Sequence, residues 1–237
     1  MKKLFALFLM GTMVASTFTA CEKDKNVVGI AEDDARFSIL VSALNRAGLV
    51  SVLEGDGPFT VFAPTNDAFN TFLSANGFAN IDAVPVAVLT QVLLNHVVAG
   101  EVLSTDLSTG YVNTEAYYNG EMSKKLSMYV NVSAAGVRLN GVANVTQPDL
   151  QATNGVVHVV DAVIGLPTVV THAAANPAFT TLVAAVGDTD LTQNYVNVLS
   201  GVGPFTVFAP TNDAFAALLG VLGLASVNDV PAATLEG

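Results

Sequence analysis

Thirteen residues of this chain occur twice without a single change. Gly57-Pro58-Phe59-Thr60-Val61-Phe62-Ala63-Pro64-Thr65-Asn66-Asp67-Ala68-Phe69 returns as Gly203 to Phe215, a displacement of 146 positions. Chance does not repeat such a run, so a whole folding unit is duplicated. The displacement exceeds the roughly 20–50 residues of a solenoid repeat and suits two tandem globular domains. Upstream, Phe179, Leu182, Val183 and Ala185 align with Phe37, Leu40, Val41 and Ala43 at an offset of 142, which puts four extra residues within Gly187 to Val198. Insertions settle in surface loops, and the polar Asp188-Thr189-Asp190 fits one. Leu235 aligns with Leu89, so the second copy stops short of a counterpart to His96. Two readings follow: the 237 residues belong to a longer two-domain protein, or the half-domain pairs with another chain. The expected division is a leader over 1–20, a tether over 21–26, a complete domain over 27–167 and the front half of its copy over 168–237.

The chain is 51% hydrophobic and 12% charged, enough apolar material for a core of one or two domains. Its net charge is −11, and without Lys2 and Lys3 it becomes −13. Such a surface repels phosphate backbones, which argues against nucleic acid as a partner and for solubility. Cys21 is the single cysteine, so neither an internal disulfide nor a thiolate metal cluster is available.

Lys2-Lys3 precedes an apolar run from Leu4 to Val14, the size of a signal-peptide core and too short to span a bilayer. The following Phe18-Thr19-Ala20-Cys21 resembles the lipobox of bacterial lipoproteins, with Phe18 where leucine is usual. That resemblance implies cleavage before Cys21 and lipidation of the cysteine. Each buried methylene contributes about 0.8 kcal/mol, so two or more acyl chains hold a protein firmly to a membrane. Plain secretion, with Cys21 a spectator, is the alternative. The polar stretch Glu22 to Asn26 reads as a tether, and the expected location is the cell envelope, on the outer membrane at its surface or periplasmic face.

Within the first copy, Phe37, Leu40, Val41 and Leu44 have helical spacing after Asp33-Asp34, and Gly48 is a natural stop. The duplicated block reads as strand, turn and helix: Thr60-Val61-Phe62 is β-branched and aromatic, Pro64 ends it, and Thr65 or Asn66 caps a helix carrying Phe69 and Phe72. A second helix follows Pro85 with Val88, Leu89, Val92 and Leu93 as its stripe. Beyond His96 the period falls to two, with Leu126, Met128, Val130 and Val132 alternating with polar or aromatic neighbours. Asn140-Gly141 predicts a hairpin, Asn119-Gly120 a further turn, and Val156 to Val160 a buried strand. Helices first and strands later predict an α+β domain.

These residues resemble the fasciclin (FAS1) domain family. Gly57 to Phe69 is similar to its first signature box. Gln147-Pro148-Asp149-Leu150-Gln151-Ala152-Thr153-Asn154-Gly155-Val156-Val157-His158-Val159-Val160-Asp161 is similar to the second, and Leu94-Asn95-His96-Val97-Val98 stands at the Tyr-His motif. The resemblance covers Asn26 to Pro167 in full and Thr168 to Gly237 for the front half. It implies a β-wedge or sandwich flanked by helices, no catalysis, no cofactor, and adhesion through proteins or glycans at the cell surface or matrix. It marks Asn95 and His96 as a possible interaction region, with Asn95 where the family has tyrosine. Thr65, Asn66, Asp67, Asn154, Gly155 and His158 are then structural residues of the boxes.

The residues themselves admit other chemistry. His96 and His158, with Asp149 or Asp161, invite a metal, yet no close-spaced ligand pair exists, and a structural histidine bonded to backbone explains each. Thr65-Asn66-Asp67 could bind a ligand or cap a helix. No Gly-x-Ser-x-Gly motif, phosphate loop or calcium loop occurs. A capture module for polysaccharide or a small ligand is the alternative function, and Tyr111, Tyr117 and Tyr118 form the one tyrosine cluster it could use. A hydrolase would need a concave pocket with converging polar groups. His172 carries no signal.

Overall fold

Asn26 ends the polar run by capping a helix that the spacing of apolar residues does not announce. Its Oδ1 accepts the Gly29 amide at 2.8 Å and opens α1 (Val27–Asp33). The computed structural model describes residues 25–118, 121–188 and 190–235; the leader, Cys21 and the Asn119-Gly120 turn lie outside them. A single 3-10 turn over Ala35–Phe37 leads into α2 (Ser38–Ala47). Gly48 ends that helix at φ +67, with its own amide on Asn45 O and the Leu49 amide on Leu44 O, the paired bonds of a Schellman stop. The short α3 (Val50–Leu53) follows.

The duplicated block then forms β1 (Phe59–Pro64), and Thr65 caps α4 (Asn66–Ala75) by accepting the Ala68 amide. Next come α5 (Val86–Leu94), β2 (Val97–Ala99), β3 (Gly110–Tyr117), β4 (Lys125–Ser133), β5 (Gly136–Leu139), β6 (Ala143–Ala152) and β7 (Gly155–Val160). Asn140 at φ +47 and Gly141 at φ +69 make the two-residue turn between β5 and β6, as their sequence predicts.

The strands form one seven-stranded sheet in the order β2-β1-β7-β6-β5-β4-β3. Only β1 and β7 run parallel, with Phe59 opposite Gly155 and Pro64 opposite Val160. The two outer strands, β2 and β3, come near each other, so the sheet curls almost into a barrel. The fold is the α+β wedge with flanking helices that the sequence implies.

Two apolar clusters share this sheet. Outside it, Val61, Ala63, Val157 and Val159 pack with Phe37, Leu40, Phe69 and Leu89 of the helical layer. Inside the curl, Phe62 and Val160 pack with Met128, Val130, Leu139 and Ile164. β7 is buried at all six positions because both of its faces are covered, which is why its sequence is a continuous apolar run.

The second copy continues through α6 (Val169–Ala175), α7 (Thr180–Val186), α8 (Tyr195–Leu199), α9 (Asn212–Leu222) and α10 (Ala232–Leu235). Thr211 caps α9 as Thr65 caps α4. A separate small cluster holds Ala185, Phe215, Val227 and Val230. Residues 205–209, identical to 59–63, belong to no strand. The same letters form a ladder only where partners stand beside them.

Candidate functional site

Asn95 and His96 close the C-terminal end of α5 and lie inside the molecule, 0% and 2% exposed. His96 Nδ1 meets Val92 O at 2.7 Å, and its Nε2 accepts the Ile164 amide at 2.9 Å. The ring proton is therefore on Nδ1 and both nitrogens are occupied. Full burial pushes the imidazole down to about 4, against a smaller opposing pull from Val92 O. Asn95 Nδ2 donates to Ile164 O and Gly165 O, while its Oδ1 accepts the Thr114 hydroxyl. As an interaction region this pair supports a surface from beneath, since neither side chain reaches solvent.

The second box is held in the same manner. Asn154 Oδ1 accepts the Val27 amide at 2.9 Å, and its Nδ2 donates to Leu53 O and Gly55 O at 2.8 and 2.7 Å. One side chain thereby joins α1, the end of α3 and the sheet. Gly155 is required by space: at φ +151 a Cβ would stand 1.9 Å from Phe59 O. His158 is fully buried, stacks on Phe62 with ring centres 5.4 Å apart, accepts the Asp149 amide on Nδ1 and contacts Val102 O through Nε2 at 2.9 Å.

Asp149 occupies an irregular step of β6 at φ +62, a conformation uncommon outside glycine. Its carboxylate accepts both the amide and the hydroxyl of Ser104. Burial pulls that carboxyl upward, but the two Ser104 bonds outweigh it and hold it below the ordinary carboxylate range. The Asp149–His158 pair thus pins the 100–104 loop to the sheet. Asp161 caps a different corner, taking the Asn144 amide and side chain.

In the first box, Asn66 Oδ1 accepts the Ile39 amide and Nδ2 donates to Ala35 O, both at 2.9 Å. Asn212 repeats both bonds with Thr181 and Pro177. Asp67 is exposed in the first turn of α4. Thr65 and Asn66 are spent on a cap and a bolt, and among the described residues no three His, Asp or Glu side chains converge on a point.

The tyrosines are different. Tyr111 is exposed, and Tyr117 and Tyr118 are half-buried. Tyr111 tilts against Tyr129 with ring centres 5.0 Å apart and meets the edge of His172 at 5.4 Å. His172 joins this surface although nothing in its sequence context marks it. It arrives through a turn of α6, and only its contact with β3 and β4 gives it surroundings. Among the described residues no single helix is long and apolar enough to cross a membrane.

Comparison with known proteins returns one family. The family model for the Fasciclin domain matches residues 35–167 and again 177–233. The uncharacterized protein sll1735 of Synechocystis is 36% identical over 146 residues, covering 59% of this chain and 96% of that protein. The transforming growth factor-beta-induced protein ig-h3 of Sus scrofa is 33% identical over 165 residues, covering 69% of this chain and 22% of that one. A solved FAS1 domain pair from the insect cell adhesion molecule Fasciclin I aligns with TM-score 0.44 at 21% identity, over 76% of this chain and 59% of that one.

Proposed function

The chain belongs to the fasciclin domain family, and from that premise we propose a non-catalytic adhesion module tethered to the cell envelope. One observation carries the reading: Asn66, Asn154 and His158 of the signature boxes, with Asn95 and His96 between them, are engaged in internal bonds. His96 and His158 have both ring nitrogens engaged, and Asn66, Asn95 and Asn154 each join separate pieces of backbone. A nucleophile, base or metal ligand needs a free electron pair facing a substrate, and these residues offer none. What remains for function is the outer surface, where loops on a rigid sheet meet a protein or glycan.

The tether is the lipobox around Cys21. Lipid on that cysteine would hold the wedge at an outer-membrane surface, and the acidic balance of −11 keeps it off nucleic acid. The test pairs two measurements. Cells producing Cys21→Ser are expected to release the protein from the membrane fraction, and retention of that variant would remove the anchor. The 27–167 domain is expected to bind at least one member of a panel of matrix proteins and glycans. Binding no better than a charge-matched control would remove the adhesive role.

A further inference from the structure

Four asparagines of the chain stand directly before a glycine: Asn76, Asn119, Asn140 and Asn154. This dipeptide has a chemistry of its own. The glycine amide nitrogen can attack the asparagine Cγ, because the glycine carries no side chain to stand in the way. The Cγ–Nδ2 bond breaks, the amide group leaves as ammonia with the proton of the attacking nitrogen, and a five-membered succinimide closes. Water then opens the ring at either carbonyl and leaves aspartate or isoaspartate. The reaction needs no enzyme and no redox partner, only a backbone free to bend the amide onto the preceding side chain.

The fold grants that freedom unequally. Asn140 is 3% exposed; its amide donates to Tyr129 O at 2.8 Å, and its Oδ1 accepts the Tyr129 amide at 2.7 Å. Gly141 behind it is packed so closely that a Cβ would stand 3.2 Å from Ala175 Cα. Asn154 is 8% exposed, its side chain holds three backbone groups, and Gly155 lies against Phe59 O. Bending either pair requires β5 to part from β4, or β1 from β7.

Asn76 is held far more lightly. It and Gly77 are both exposed at the end of α4. Two bonds restrain the reacting groups: Asn76 Nδ2 donates to Phe72 O at 2.8 Å, and the Gly77 amide donates to Ser74 O at 3.2 Å. Both acceptors belong to the last turn of the same helix, so fraying of that turn frees nucleophile and electrophile together. Gly77, at φ +71 with nothing within 4 Å of a Cβ, has room to turn. Nor does the helix stop depend on an amide, for Gly223 ends α9 at φ +69 directly after Leu222.

We propose that Asn76 is a site of spontaneous deamidation in the folded protein, and that its product loosens the end of α4. An aspartate there loses the donor to Phe72 O and sets a negative charge at the negative end of the helix. Isoaspartate lengthens the main chain by one carbon shortly before Phe78, which packs against the helical core. The mark accumulates with the age of each molecule and is independent of what the surface binds.

The test ages the full chain, made as Cys21→Ser and Asn119→Gln, at mildly alkaline pH. The first change removes acylation, and the second removes a competing pair outside the described residues. Peptide mapping by mass spectrometry, with fragmentation, follows the replacement of NH2 by OH at each remaining pair. In the native protein Asn76 is expected to convert at least about tenfold faster than Asn140 and Asn154, because it needs only local fraying. In guanidinium chloride the three rates should converge, since the dipeptide is the same. Asn76→Asp, the product made genetically, should melt about 2–4 °C below the parent. Conversion at Asn76 no faster than at Asn140 or Asn154 would overturn the proposal, as would an intact Asn76 over the time in which the denatured chain converts. Parental melting of Asn76→Asp would overturn its second half.

Discussion

Burial that takes His96 from its ordinary 6.5 to about 4 makes the fold sensitive to mild acid. The unfolded chain accepts a proton at this residue near 6.5, while the folded chain refuses it until about 4. Stability contributed by the neutral ring is full above the unfolded value, falls as pH drops through that window, and is gone below it. The difference corresponds to roughly 3 kcal/mol. Melting temperature should fall between pH 7 and pH 4.5, and His96→Gln should flatten that slope while lowering stability throughout. An unchanged slope in the variant would assign the acid sensitivity elsewhere. Two glycines make a second residue-scale contrast. Gly155→Ala drives a Cβ into Phe59 O and should cost about 3 kcal/mol or more, seen as loss of soluble protein. Gly48→Ala meets nothing within 4 Å and should cost only about 1 kcal/mol, from its positive φ alone. Equal losses in chemical denaturation would mean that the close approach of β1 to β7 is not what fixes Gly155.

Elements show how far local sequence reaches. Phe62 is 1% exposed inside β1, whereas Phe208, its twin in an identical block, is 93% exposed. Phe62→Ala should therefore destabilise the protein by about 3–5 kcal/mol, and Phe208→Ala by almost nothing. Comparable midpoints for the two variants in urea would contradict the placement of residues 205–209. The Thr caps and Asn bolts, by contrast, recur in both copies because each needs only a neighbouring helix. This divides what was legible. Helix stops, caps, the Asn140-Gly141 turn and the apolar run of β7 are readable because their causes lie within a few residues. The helix α1 was not readable: its seven residues include Gly29 and lack a long apolar stripe, and its first amide is held by Asn154, distant in sequence. β3 was equally silent, with polar and apolar residues mixed along it. Burial of Asn95, and the joining of His172 to Tyr111, arise from contacts between elements that no local pattern encodes.

The whole molecule carries unequal cores. The first copy has a helical layer and a curled sheet sharing β7, while the cluster around Phe215 holds four buried apolar residues. Regions with few buried contacts open at lower free energy. Native-state hydrogen exchange on the full chain should find amides of α9 opening well before those of β7, and uniform protection would show one cooperative unit instead. The curl has another consequence. The parallel partner of β1 lies about a hundred residues further along the chain, and loop closure over such a span is slow. A ribosome must therefore deliver everything up to Val160 before the central ladder can zip, and until then Phe62 and its neighbours travel unshielded. A chain of this design depends on timing: the early strand has to be kept apart from other polypeptides until the late one arrives.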